Sequence, residues 1–219
     1  MIDWAGYLQL MLAGALLTVE LTVAGAVVAF IMAMAAGLGR MSRHWAVRAI
    51  ATAYIEFFRG TSIFVQLFWI YFVLPLLGVS ISSFAAGVMA LGLNVGAYGA
   101  EVVRGAFKSV GREQHEAGIA LNFTSWQRTR HIILPQAFVI MLPTFGNNAI
   151  ELLKATSVVS LISLADLTFQ AQVVRAQTGS TLVPFLAVLI LYYAMALSIS
   201  WAMRLLERRV TRGLDGVRT

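Results

Sequence analysis

Residues 7–38 form an apolar run whose only charged side chain is Glu20, and this run constrains the fold more than any other feature. Backbone amides cannot stay unpaired in hydrocarbon, so such a stretch folds as a helix, and about 20 residues suffice for one crossing. A run of this length must tilt or begin outside the hydrocarbon. Four more crossings are predicted. The second, 61–77, opens at Arg59-Gly60 and closes at Pro75 and Gly78. The third, 84–103, carries Gly87, Gly92, Gly96 and Gly99, small residues that permit close helix contact. The fourth begins after Pro135, with a kink or break expected at Pro143 and Gly146 and a further interruption at 154–157. The fifth covers 182–201. With 59% hydrophobic and 12% charged residues, the chain cannot clothe a soluble domain. The expected fold is therefore an all-α integral membrane protein of about five transmembrane helices, one domain over 1–219. The first run lacks a basic lead and an A-x-A-like site, so it is read as a retained helix and not a cleaved signal.

Orientation follows from where Lys and Arg fall. Arg40, Arg43 and Arg48 follow the first run; Arg104, Lys108, Arg112, Arg128 and Arg130 follow the third; Arg204, Arg208, Arg209, Arg212 and Arg218 lie in the tail, 204–219. The connection 74–83 has no charge, and the segment after the fourth run has only Asp166 and Arg175. The N-terminus is thus expected outside and the C-terminus in the cytoplasm. Zero Cys excludes thiolate sites, and His44, His115 and His131 are too dispersed for a metal set, so no metal is expected. The basic residues mark topology, and no nucleic-acid partner is inferred; the partner they imply is the lipid bilayer.

The connection 104–135 is long for a membrane protein and reads as two short helices. Glu113 to Leu121 supplies helix formers, Asn122 suits a left-handed helix end, and Thr124-Ser125-Trp126-Gln127 matches a capping box that starts a second helix near Ser125. Pro135 is expected to break the chain again. Helices this short need a partner surface.

Glu116-Ala117-Gly118, then Asn122, then Ile132-Ile133-Leu134-Pro135 resembles the EAA loop of ATP-binding-cassette importer permeases. Gly118 stands where that family usually has Ala, and Asn122 where it usually has Gly. Three further runs resemble its polar amino acid branch: Glu56-Phe57-Phe58-Arg59-Gly60-Thr61 with Gln66, Asn94 through Tyr98 to Glu101 and Arg104, and Gly146-Asn147 through Ile150, Leu152 and Lys154 to Thr156-Ser157. The resemblance implies a type I importer permease fold across about 7–209, with Glu113, Glu116, Ala117, Gly118, Asn122, Ile132, Leu134 and Pro135 forming the coupling loop that docks in an ATPase subunit. It also implies a second permease chain, identical or related, and an extracytoplasmic solute-binding protein, in a bacterial inner membrane. Histidine, glutamine, arginine and opine permeases are the nearest kin, with ectoine and hydroxyectoine importers the subgroup chosen.

Polar residues at membrane depth are costly and face protein or water. Asn94, Tyr98 and Glu101 share one face of the third run; Asn147, Glu151 and Lys154 share one of the fourth. Each set, with Gln66, is a candidate solute pathway. The bland alternatives are a packing pair, Glu101 with Arg104, and an intrahelical bridge, Glu151 with Lys154. Glu20, between Thr18 and Thr22, is expected to bond a neighbouring helix, and Asp166, Gln170, Gln172, Arg175 and Gln177 to form an outer docking surface for the binding protein. The chain lacks a G-x-x-x-x-G-K-[ST] phosphate loop, so no cofactor of its own is expected, and ATP with Mg²⁺ is assigned to the ATPase. A transport subunit is therefore the first reading and an ion-coupled secondary transporter the second; a membrane enzyme would need a convergent His/Asp/Glu set in the spans.

Overall fold

The computed structural model describes residues 4–211; Arg212 and Arg218 lie outside the described residues. Nine α-helices are found among them: α1 (Trp4–Arg40), α2 (Trp45–Gly60), α3 (Ile63–Phe68), α4 (Ser83–Ser109), α5 (Arg112–Ala120), α6 (Ser125–Arg128), α7 (Leu134–Ala155), α8 (Leu167–Thr178) and α9 (Leu182–Thr211). Four stretches are long and apolar enough to cross a membrane: Ala5–Arg40, Ser83–Ser109, Ser125–Ile162 and Leu182–Thr211.

Helices α1 and α4 pack through small residues along 21–37 of α1 and 87–103 of α4. A methyl group added at Gly92 would lie 2.7 Å from Val28, at Gly96 2.9 Å from Met32, at Gly99 2.7 Å from Ala33, and at Gly37 2.7 Å from Val103. Without a hydrophobic drive between helices in lipid, backbone approach of this kind supplies the dispersion contact. The paired numbers rise together, so α1 and α4 run in the same direction.

The chain between them must therefore return across the membrane, and it does so as a bent pair. Helix α2 meets the helical stretch Ile63–Leu77 at 105°. Along α4 the contacts descend: the Tyr54 hydroxyl donates to the Leu93 carbonyl at 2.7 Å, Leu67 packs with Leu91, and Tyr71 meets Ser83 at 3.2 Å. The crossing expected at 61–77 is only the second arm of this pair. Residues 45–60, read from sequence as a connection, form its first arm, with Ala51 and Ile55 buried. The Arg59-Gly60 turn is where the helix bends.

Helix α7 runs against α4, with Ile133 beside Val110 and Phe145 beside Gly99 in the packed core. Helix α9 returns against α7, as Met203 beside Gly146 and Tyr192 beside Thr156 show. Counting the bent pair as one crossing gives five passes, with Trp4 and Thr211 at opposite ends of the bundle. One end gathers Arg40, Arg43, Arg48, Arg104, Lys108, Arg112, Arg128, Arg130, Arg204, Arg208 and Arg209; the other carries Arg175 and Asp166.

Two expected breaks are absent. Pro135 does not interrupt the chain, because Thr129–Ile133 winds as a wide π-turn in which the Leu134 amide donates to the Thr129 carbonyl. The extra residue moves aside the carbonyl that the proline ring would strike. Gln136 Nε2 also bonds the Ile132 carbonyl at 3.0 Å. Pro143 and Gly146 likewise lie within the uninterrupted α7, where Gly146 is buried against Met203. The winding changes later, to a 3₁₀ turn at Thr156–Ile162 that ends on Ser163 in the left-handed conformation.

Candidate functional site

The connection beyond the basic end folds as its residues dictate. Helix α5 ends in a Schellman arrangement: Asn122 has φ 54°, its amide donates to the Ile119 carbonyl at 2.9 Å, and the Phe123 amide to the Gly118 carbonyl at 3.0 Å. Asparagine meets the positive φ here as glycine would. The capping box follows, with the Thr124 hydroxyl receiving the Gln127 amide and the Gln127 side chain receiving the Thr124 amide. From Ser125 the chain is helical without a gap to Ile162.

Gly118 is buried, and a methyl group there would lie 3.0 Å from Arg128 and Ile132. Helix α5 thus rests directly on the foot of the long helix. The Gln136 side chain donates to Gln114 at 3.2 Å across the same junction. On its free side α5 shows Glu113 and Glu116, the latter accepting from Arg112 at 2.9 Å in an exposed pair. Ile119 and Leu121, in the connection, and Trp126, at the start of the long helix, are 58–68% exposed. Leu134 and Pro135 lie in the first turn of α7, with Ile132 in the π-turn before it. This apolar tip is seated on the long helix Ser125–Ile162 and left uncovered within the chain.

A second polar group runs along α4. Asn94 and Gln66, both buried, lie inside the α2–α3 corner. Asn94 Nδ2 donates to the Phe58 carbonyl at 2.9 Å and to Gln66 Oε1 at 3.1 Å, while Gln66 Nε2 donates to Phe58, Thr61 and the Thr61 hydroxyl. These bonds satisfy the carbonyls that a 105° bend releases in an apolar setting, so both side chains are occupied in holding the corner. One turn on, Tyr98 is exposed, with the Arg59 guanidinium 5.4 Å over its ring. Glu101 then binds Arg40 of α1 and, at 2.7 Å, Arg104 of α4. Arg40 also reaches Glu56 of α2 at 3.4 Å. The predicted Glu101–Arg104 pair is therefore present, and sequence reasoning missed that Arg40 and Glu56 join it to tie three helices.

Asn147, Glu151 and Lys154 occupy the exposed side of α7. No Glu151–Lys154 bridge is found among the described residues. Lys154 borders a cavity of about 620 Å³ between α7 and α9, whose polar lining is Ser157, Thr168, Tyr192, Tyr193 and Ser200. Asn147 borders a smaller cleft with Arg204 and Glu207. Glu20 is exposed on α1, while Thr18 and Thr22 are buried on its other side, and among the described residues it bonds no neighbouring helix.

Asp166 is fully buried and not on the outer surface. It caps α8, accepting the Thr168 and Phe169 amides at 3.2 and 3.0 Å, and burial pushes its carboxyl up to about 6. The Leu167 amide donates to the Thr18 hydroxyl at 3.1 Å, and Gln170 packs on Gly14, which docks α8 on α1. Gln172, Arg175 and Gln177 are exposed. The signal for α8 was an Asp followed by an apolar periodic run.

Comparison with known proteins agrees with this arrangement. A probable amino-acid ABC transporter permease protein, y4tF of Sinorhizobium fredii, is 44% identical over 216 residues, covering 96% of this chain and 91% of that one. The glutamine transport system permease protein GlnP of Escherichia coli is 37% identical over 213 residues, covering 95% and 97%. A crystal structure of an amino acid ABC transporter with histidines superposes with a TM-score of 0.87 at 35% identity, covering 95% of this chain and 99% of the other. Residues 7–212 match the family described as binding-protein-dependent transport system inner membrane component, and the chain belongs to that family.

Proposed function

We propose that this chain is the permease subunit of an ABC importer for a polar amino acid. The single observation that carries the reading is the α5–α6 tip at the basic end of the bundle, where Glu116 and Ile119 of α5, Leu121 of the turn and Trp126 of α6 are exposed while Gly118 seats the tip on the long helix. A cytoplasmic ATPase subunit covers it, binds ATP and Mg²⁺, and performs the hydrolysis. Closure of that subunit pushes α5. Because Gly118 sits on Arg128 and Ile132, the push passes into the helix Ser125–Ile162 and so to the opposite face of the membrane. The π-turn at Thr129–Ile133 is the point on that rod best able to flex.

The end rich in arginine faces the cytoplasm, which puts the N-terminus outside and the C-terminus inside. A solute-binding protein delivers cargo at the other end, where Gln172, Arg175 and Gln177 are exposed. A second permease completes the pathway, and the polar side of α7 faces protein and solute in preference to lipid. Asn147, Glu151, Lys154, Tyr98 and the rim of Glu101 are the residues available to line it, whereas Gln66 and Asn94 act on the corner. The solutes named for the relatives above include glutamine, and ectoine is not among them. An ion-coupled transporter would have no use for a gripped cytoplasmic tip. Uptake of labelled glutamine by cells expressing this chain with its ATPase and binding protein tests the reading: Glu116→Lys should abolish uptake with the chain still inserted, and normal uptake by that variant would remove the coupling assignment.

A further inference from the structure

Helix α9 is held to the bundle by α7 and α8, and of its described residues only Pro184 is buried. Between α9 and α1 runs a groove floored by α7, on the side of that helix opposite its polar stripe. The upper part, about 320 Å³, lies among Val23, Leu153, Leu191 and Ile199; the lower part, about 230 Å³, lies among Ala26, Phe30, Ala149, Met203 and Leu206. The polar side chains along it are occupied or turned away. The Thr22 hydroxyl donates to the Thr18 carbonyl at 2.7 Å and the Ser198 hydroxyl to the Ala194 carbonyl at 2.9 Å, while Asn148 carries its Nδ2 towards α4, 3.8 Å from the position a methyl group would take on Gly99. An apolar cavity of about 150 Å³ already stays dry and takes up a molecule the size of benzene. Both parts of this groove are larger, and their rims, at Val23, Phe30 and Leu206, are exposed on helices that cross a bilayer, where the medium is hydrocarbon.

We propose that a phospholipid from the leaflet on the arginine-rich side seats one acyl chain in this groove and places its phosphate on Arg209. Leu191 and Arg209 are 18 positions apart, about five turns at 3.6 residues each, so they share one face of α9 and stand about 27 Å apart along it. Arg209 therefore marks the foot of the groove that Leu191 lines higher up. Along α7 the lower part runs from Phe138 to Leu152, about 21 Å, against a hydrocarbon depth of about 15 Å for one leaflet. An acyl chain that enters beside Arg209 lies in it lengthwise. Arg209 is exposed and joins no ion pair among the described residues, and Glu207, the nearest acid in sequence, borders the cleft on the other side of α9. A free guanidinium at the foot of an apolar slot matches a phosphate diester carrying a hydrocarbon chain. The bound lipid fills the gap between α9 and α1. The inference requires that the chain spans a membrane and nothing of what it transports.

The test uses the whole assembly, this chain with its partner subunits, reconstituted in vesicles that contain phosphatidylglycerol bearing a photoreactive diazirine midway along one acyl chain. After irradiation the labelled residues are mapped by mass spectrometry. The expected result is label on Ala149, at the floor of the groove, at least as heavy as on Ile190 and Trp201, which are exposed on the outer side of α9. Label confined to those outer positions, as when a helix of another subunit fills the groove, would overturn the proposal. Arg209→Gln changes an exposed side chain and should lower the label on Ala149 several-fold while leaving that on Ile190 unchanged. Equal label on Ala149 in the two proteins would contradict the phosphate contact. The same photoreactive chain carried on diacylglycerol, which has no phosphate, should label Ala149 of the unsubstituted protein as weakly as phosphatidylglycerol labels the Arg209→Gln variant, and labelling as strong as that by phosphatidylglycerol would also count against it.

Discussion

Replacing Gly99 by Ala tests the seam that sets the whole bundle. A methyl group there lies 2.7 Å from the Ala33 Cβ and 3.2 Å from the Phe145 ring. Carbon atoms rest at roughly 3.5–4.0 Å, so α1 and α4 must separate by about 1 Å. Overpacking of this kind costs about 1–3 kcal/mol, against a helix-propensity gain of up to about 1 kcal/mol. Gly105, on the same helix, has open space where a methyl group would go, so Gly105→Ala keeps the gain without the clash. The expected order of thermal unfolding midpoints, measured on the purified complex in detergent, is Gly105→Ala above or equal to wild type and Gly99→Ala below it. Adding Ala33→Gly to Gly99→Ala should return most of the loss, because it removes the methyl group that is struck. A Gly99→Ala protein as stable as Gly105→Ala, or no rescue by Ala33→Gly, would refute the close-packed seam.

Glu101→Gln leaves Arg40 and Arg104 without their shared carboxylate; with these side chains 21–33% exposed the loss falls between the exposed and buried cases, about 1–3 kcal/mol, read as a lower midpoint. Glu116→Lys breaks only an exposed pair with Arg112, worth at most about 0.5 kcal/mol, so the midpoint should hold while uptake is lost. Asp166 predicts a pH effect: its folded pKa of about 6 exceeds its ordinary value, so the folded state takes up the proton first and stability rises as pH falls from 7 through 6 towards 4. Asp166→Asn keeps a good helix cap and should remove that gain, seen by comparing midpoints of both proteins at pH 7.5 and 5.5.

Much of this architecture is legible in the sequence because lipid leaves the backbone few choices. The long apolar runs became helices, the glycines of the third run became its contacts with α1, and Asn122 with Thr124–Gln127 wrote the turn between α5 and α6 into local chemistry. What escaped depended on neighbours. A proline inside a helical run ordinarily breaks it, yet Pro135 is absorbed by a π-turn and α7 runs unbroken past Pro143. The first arm of the bent crossing was hidden because its charges, Arg48, Glu56 and Arg59, read as a surface connection. Asp166 looked like a surface acid, and only packing of α8 on Thr18 and Gly14 buries it. The polar faces were visible as spacing, but spacing alone did not tell Asn94, which holds a corner, from Glu151, which is open.

The most direct measurement reconstitutes this chain with its ATPase subunit in proteoliposomes, adds the solute-binding protein loaded with labelled glutamine, and follows accumulation. The account predicts accumulation that requires both the binding protein and ATP with Mg²⁺ on the side of Arg40, Arg104 and the α5 tip, and that Glu116→Lys abolishes. Accumulation driven by an imposed proton or sodium gradient without nucleotide would contradict it.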